Sequence, residues 1–240
     1  MIARSLDAQV FTLSLDRPQA ANALDEALYA QLLTQLAAAA IDPQVKAVVL
    51  GARGEKAFSA GADTREFTEL PQFRAELARR KLLLHMLEQL LDFPKPLVCA
   101  VGAPAIGAGA MLALACDEIV MADSAWMQFP EIGFDLPSPM GLVLLLQRTN
   151  RAIARELVQH GVRMEAPQAL RNGLVDAVVP RAQLDEAASA CARERCARSG
   201  AAYAANKAWL NRALRQELAA AAAQATKFAK ARYGEPLENQ

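Results

Sequence analysis

Ala100-Val101-Gly102-Ala103-Pro104-Ala105-Ile106-Gly107-Ala108-Gly109-Ala110 is the stretch on which the fold turns. These small residues join an apolar run at 97–101, introduced by Pro94-Lys95-Pro96, to a second apolar run at 110–115. The first run has the length of a buried strand and the second reads as a buried helix. A strand that feeds a helix through a tight turn is the repeating unit of an α/β protein. The alternation continues in both directions. Upstream, residues 9–15 alternate in polarity as a strand does. Asn22 is placed to cap a helix over 23–40, with Leu24, Leu28, Leu32 and Leu36 at helical spacing. A β-rich run at 45–50 ends at Gly51, and an amphipathic helix is expected over 64–91. Downstream come a strand at 118–121, a Pro/Gly-rich loop at 129–141, helices at 142–160 and 166–172, and a strand at 174–179. Pro180 separates a core over 1–180 from a helical C-terminal segment over 181–240. The fold class expected is α/β, with parallel strands and crossover helices.

Composition narrows the function. Lys plus Arg and Asp plus Glu balance at 26 each, so no global field collects nucleic acid or an anionic membrane. Aromatic residues are 5% of the chain, too few for a base-stacking platform. No apolar stretch is long enough to span a bilayer, and Met1-Ile2-Ala3-Arg4-Ser5-Leu6-Asp7 lacks the core of a signal peptide. A cytoplasmic location is expected. Cys99, Cys116, Cys191 and Cys196 show no zinc-ligand spacing, so no metal site is expected, and the first two read as reduced core residues. His85 falls within a helical stretch and His160 at a helix end. With no G-x-S-x-G, a serine hydrolase is not indicated.

A second small-residue turn, Phe58-Ser59-Ala60-Gly61-Ala62-Asp63, accompanies the first. Such turns let a ligand approach the main chain, and a helix starting near Ala108 points its positive end outward. Two turns could aim two N–H donors at one oxygen, which is what an oxyanion hole requires. Two other readings stay open on the residues alone. The glycines could serve only close strand–helix packing, or Gly107-x-Gly109 could begin a dinucleotide fingerprint with Glu131 about 20 residues on. The fingerprint's third glycine is absent, Leu112 standing in its place.

The order and spacing of several motifs resemble the crotonase (enoyl-CoA hydratase/isomerase) superfamily along almost the whole chain. They are Arg17-Pro18 with Asn22-Ala23-Leu24, the Phe58 to Asp63 turn, and Lys95-Pro96 with Ala100-Val101-Gly102. Gly107 to Gly109, Ala115-Cys116-Asp117, Ala122-Asp123-Ser124-Ala125, Phe129-Pro130-Glu131 and Gly173-Leu174-Val175 follow. The resemblance implies a spiral of ββα units with C-terminal helices, assembled as trimers or dimers of trimers. It implies an acyl-CoA substrate, with coenzyme A entering as part of the thioester and no permanently bound cofactor. It places the thioester oxygen between the N–H groups of Ala62 and Ala108, where Ala108 replaces the middle of a triple-glycine run. It puts pantetheine and adenine near Ala21, Ala60, Asp63, Thr64 and Arg65.

Hydratases of this family resemble one another in holding a water between two glutamates. The first position is Met111 here and the second is Glu131. Methionine exchanges no protons. A single carboxylate can still carry a proton between two carbons, so the pattern favours a Δ3-Δ2-enoyl-CoA isomerase with Glu131 as acid and base. Two alternatives remain: a hydratase-like lyase with Asp135 as second acid, and a low-turnover acyl-CoA-binding protein. The acyl pocket is expected between residues 66–91 and 140–146.

Overall fold

The computed structural model describes residues 1–234. Strand β1 (Ile2–Asp7) turns back antiparallel into β2 (Val10–Leu15) through Ala8 and Gln9, both at positive φ, as a two-residue hairpin requires. Helix α1 (Glu26–Ile41) then crosses to β3 (Ala47–Ala52), and α2 (Gln72–Asp92) to β4 (Leu97–Val101). The two-residue β5 (Ala105–Ile106) precedes α3 (Ala108–Leu114), β6 (Glu118–Ala122) and β7 (Trp126–Gln128). Helices α4 (Pro139–Arg148) and α5 (Arg151–Gln159) lead to β8 (Met164–Glu165), α6 (Ala166–Arg171) and β9 (Ala177–Val179). The last elements among the described residues are α7 (Leu184–Cys196) and the 33-residue α8 (Ala201–Tyr233).

A six-stranded sheet runs in the order β1-β2-β3-β4-β6-β9, parallel from β2 onward, and β5-β7-β8 form a separate small sheet. Successive strand–helix–strand crossovers explain the parallel order. β4 is buried at every residue and β3 at all but its last. That is why both read as unbroken apolar runs instead of alternating ones. α7 lies against β3, β4 and β6, and α8 packs on α2 and α4. The buried stripe of α8, Leu214, Leu218, Ala221, Ala222, Ala225 and Ala229, is mostly alanine, which allows close helix approach.

Several local expectations are corrected. Asn22 does not cap α1: Asp25 does, its side chain accepting from the Leu28 amide at 2.7 Å. Asn22, fully buried, instead accepts from the Arg17 amide and donates to the carbonyls of Arg53 and Ala57, tying three loops together. The helix expected from residue 64 begins only at Gln72, because Asp63 turns its side chain onto the Arg65 amide and Phe67 takes a positive φ. The helix expected over 142–160 is two helices, the second capped by Asn150, whose side chain accepts from Ala152 and Ile153.

Candidate active site

The two small-residue turns meet. The Ile106 amide donates to the Ser59 carbonyl (3.0 Å) and the Phe58 amide to the Pro104 carbonyl (3.0 Å), so the chain segments lie side by side. On the other side, the Leu24 amide donates to the Gly61 carbonyl, and the Asp63 amide to the Leu24 carbonyl. This parallel bridge uses the residues flanking Ala62 and leaves the Ala62 N–H pointing the opposite way, with no acceptor among the described residues. Ala108 opens α3, where helix geometry supplies no acceptor for its N–H. The turns are so close that a methyl group on Gly61 would stand 3.6 Å from the Ala108 nitrogen. Two glycines make this contact possible. Gly107 holds φ +52° to swing the chain into α3, and a Cβ on Gly109 would lie 2.6 Å from the Ser59 carbonyl oxygen.

Both Ala62 and Ala108 line a cavity of about 260 Å³. Glu131 lines it too, carried by a single turn of 3-10 helix from Pro130 to Phe134. Its Oε1 lies 3.0 Å from where a Gly107 Cβ would be, and its Oε2 is sealed from solvent without a hydrogen-bond partner among the described residues. Burial pushes the carboxyl above its ordinary 4.5, opposed by its own amide and the nearby Ser138 hydroxyl. Ser138 is 5% exposed, and its hydroxyl, close enough to be felt, has no hydrogen-bond partner within bonding geometry among the described residues. Met111, on α3, faces the same cavity with an apolar thioether. The arrangement offers two main-chain donors and, in Glu131, one carboxyl group not taken up by an ion pair, since the cavity's other carboxylate, Glu76, is paired with Arg79 and Arg80. That is enough to hold a developing oxyanion and to take and return a proton.

The remaining expected residues divide into two sets. Ala60 and Thr64 line the cavity. Ala21, left-handed at φ 50°, lies behind it, its carbonyl accepting from the Ala60 amide at 3.0 Å. Asp63 and Arg65 lie outside the cavity lining. The Asp63 carboxylate, 4% exposed, accepts from Arg17 at 2.6 Å and from the Arg65 side chain at 2.8 and 2.9 Å. The two guanidinium groups hold that carboxyl well below the usual range. It braces the turn that carries Ala62, while Arg65 stays largely exposed at the surface. The Asp135 carboxylate is exposed, pairs with Arg232 at 2.7 Å and borders a neighbouring depression, away from the Glu131 cavity.

From the segments expected to form the acyl pocket, 66–91 and 140–146, the cavity takes Glu76, Arg79, the buried Arg80, Leu83 and Met140, but the charge on this wall was not expected. A signal was present, since Arg80, Leu83, Leu87 and Leu90 share one helical face. Among the described residues no cluster of His, Cys, Asp and Glu could hold a metal ion. No helix among them is long and apolar enough to cross a membrane.

A family model described as enoyl-CoA hydratase/isomerase matches residues 5–234. The mitochondrial enoyl-CoA hydratase of Pongo abelii is 35% identical over 217 residues, 90% of this chain and 73% of its own length. The 2,3-dehydroadipyl-CoA hydratase of Escherichia coli K12 is 36% identical over 177 residues, 73% of this chain and 68% of its own. Among solved structures, an enoyl-CoA hydratase/isomerase from Xanthobacter autotrophicus Py2 superposes with a TM-score of 0.86 at 30% identity, covering 97% of this chain and 87% of the other.

Proposed function

Because the chain belongs to the enoyl-CoA hydratase/isomerase family, whose members act on CoA thioesters, we propose that it moves a double bond in a short 3-enoyl-CoA with Glu131 as its single acid–base group. The observation that carries this reading is one buried carboxyl facing two unsatisfied N–H groups, with Met111 where a second carboxylate would be needed to position water. In the reaction, the Glu131 carboxylate takes a proton from C2. The electron pair spreads over C2 to C4 and the thioester oxygen, whose charge the Ala62 and Ala108 N–H groups stabilise by about 3–4 kcal/mol per donor. The same carboxyl then returns the proton to C4, leaving the double bond between C2 and C3. Substrate and product are isomers, so no water is consumed. The cavity of about 260 Å³ suits the thioester and a short acyl chain. Sites for drug-sized ligands occupy about 300–1,000 Å³.

The test is double-bond migration in a short 3-enoyl-CoA, followed spectrophotometrically, for the wild type and Glu131→Gln. The variant is expected to lose about 10²–10⁴-fold in kcat while still binding acyl-CoA. Wild-type turnover that survives the substitution would remove Glu131 from this role. The relatives named as hydratases favour a second reading, hydration of a 2-enoyl-CoA. Hydration of crotonyl-CoA faster than migration would select it, and binding without either reaction would select a carrier. The family reading also carries assembly into trimers or dimers of trimers, which light scattering after size exclusion tests directly.

A further inference from the structure

On the wall shared by α2 and α8, the cavity contains charge where an aliphatic acyl chain would call for none. Glu76, Arg79 and Arg80 line it beside Leu83 and Ala225. Arg80 is 8% exposed, and its guanidinium donates to Glu76 Oε1 at 3.0 Å and to Thr226 Oγ1 at 3.2 Å. Arg79 donates to the other oxygen of the same carboxylate at 3.4 Å and to the Glu66 carbonyl at 3.1 Å. Two guanidinium groups therefore share one carboxylate, leaving an excess of one positive charge at the wall. A guanidinium carries five N–H donors, and the two bonds of Arg80 among the described residues leave three unused. A buried cation with spare donors is costly unless something anionic or strongly polar completes its shell. If its purpose were only to fasten α2 to α8, an apolar pair would serve as well.

We propose that Arg80, supported by Arg79 and Glu76, is a specificity-determining residue that receives an anionic group at the far end of the acyl chain, so that the preferred substrate is the CoA thioester of a short dicarboxylic acid. The proposal rests on the acyl-CoA reading above. A planar guanidinium matches a carboxylate through two parallel hydrogen bonds, whereas a methyl terminus would leave those donors desolvated and unpaired. Discrimination then comes both from attraction to the dicarboxylic acyl group and from exclusion of the aliphatic one.

The test uses saturated thioesters, which cannot react, so that it reads recognition apart from turnover. Calorimetric affinities for glutaryl-CoA and pentanoyl-CoA, whose acyl chains are of equal length, are compared for the wild type, Arg80→Gln and Arg80→Lys. The wild type is expected to prefer glutaryl-CoA by on the order of tenfold or more. The preference should collapse in Arg80→Gln and return in part in Arg80→Lys, which keeps the charge but not the fork. Equal wild-type affinities, or a preference that persists in Arg80→Gln, would overturn the proposal. Loss of both affinities together in Arg80→Gln, with Arg80→Lys unable to restore the ratio, would reduce Arg80 to a fastening between helices. Absence of wild-type turnover on any enoyl-CoA, with the binding preference intact, would sink the isomerase reading and leave this one standing.

Discussion

At the scale of single residues, the burial that the proposed acid–base role of Glu131 calls for also costs the folded protein stability at neutral pH. Its carboxyl titrates above 4.5 in the folded protein because the surroundings disfavour the charged form. The folded state thus holds this proton more tightly than the unfolded chain does. The resulting stabilisation is complete below the unfolded value and is lost as pH rises through the folded value. At neutral pH the ionised group is a net cost. Glu131→Gln should therefore raise stability at pH 7 by roughly 0.5–2 kcal/mol, and the gain should shrink toward zero below about pH 4. Urea midpoints at the two pH values check this, and an equal gain at both would show that charge burial is not the cause. The acid limb of kcat/KM should likewise sit above the range of a free carboxyl. Glu131 was legible because Phe129-Pro130-Glu131 marks its place in the sequence. Ser138 was not, since nothing in its loop shows which side chain faces the cavity, and Arg80 was marked only by being a cation on an otherwise leucine face of its helix.

At the scale of elements, the site is a contact between two turns, and Gly109 sets how close they come. Ser59, directly against Gly109, donates its hydroxyl to the Asn22 carbonyl at 2.8 Å and accepts from the Gly61 amide at 3.2 Å. Displacing Ser59 would therefore move the turn that carries Ala62 relative to Ala108. A methyl group at 109 would stand 2.6 Å from both the Ser59 carbonyl oxygen and its Cβ, inside contact distance of backbone that cannot swing away. Gly109→Ala is expected to cost about 1–3 kcal/mol of stability. It should also lower kcat by on the order of 10²-fold, as loss of one oxyanion donor does. A thermal melt paired with steady-state rates at saturating substrate checks both. Unchanged kcat would mean that the donors tolerate the displacement. The turns were visible in the sequence as runs of small residues. The short strands β5 and β8 were not, because two residues show no period, and the exposed edge strand β1 gives no apolar alternation. The break between α4 and α5 was missed because apolar spacing continues across it, and only the Asn150 side chain marks the new start.

At the scale of the whole molecule, α8 crosses from the strand ends to the mouth of the cavity, and a few polar ties hold it in place. Near its start, Lys207 is 5% exposed and its ammonium group donates to Asp117 Oδ2 at 2.8 Å. The same oxygen accepts from the Leu97 amide, at the start of β4, and from the Tyr203 hydroxyl. One carboxylate thus joins the central sheet to the terminal helix. Farther along, Asn211 donates to the Leu91 carbonyl at 2.8 Å, and Thr226 meets Arg80 at the cavity wall. Periodicity and composition predicted a helical C-terminus. They did not reveal where it lies, because its buried face is largely alanine and its fixed points are polar pairs distant in sequence. Lys207→Met removes the cation but keeps much of the stem, leaving Asp117 with two neutral donors in a partly buried position. Breaking a fully buried pair costs about 3–5 kcal/mol, so the more exposed Asp117 argues for about 2–3 kcal/mol here. Lys207 lines a different depression from the Glu131 cavity, so kcat/KM of the folded fraction should hold while the denaturation midpoint falls. A midpoint that does not move would show that packing of the alanine stripe, and not this ion pair, fixes α8 over the site.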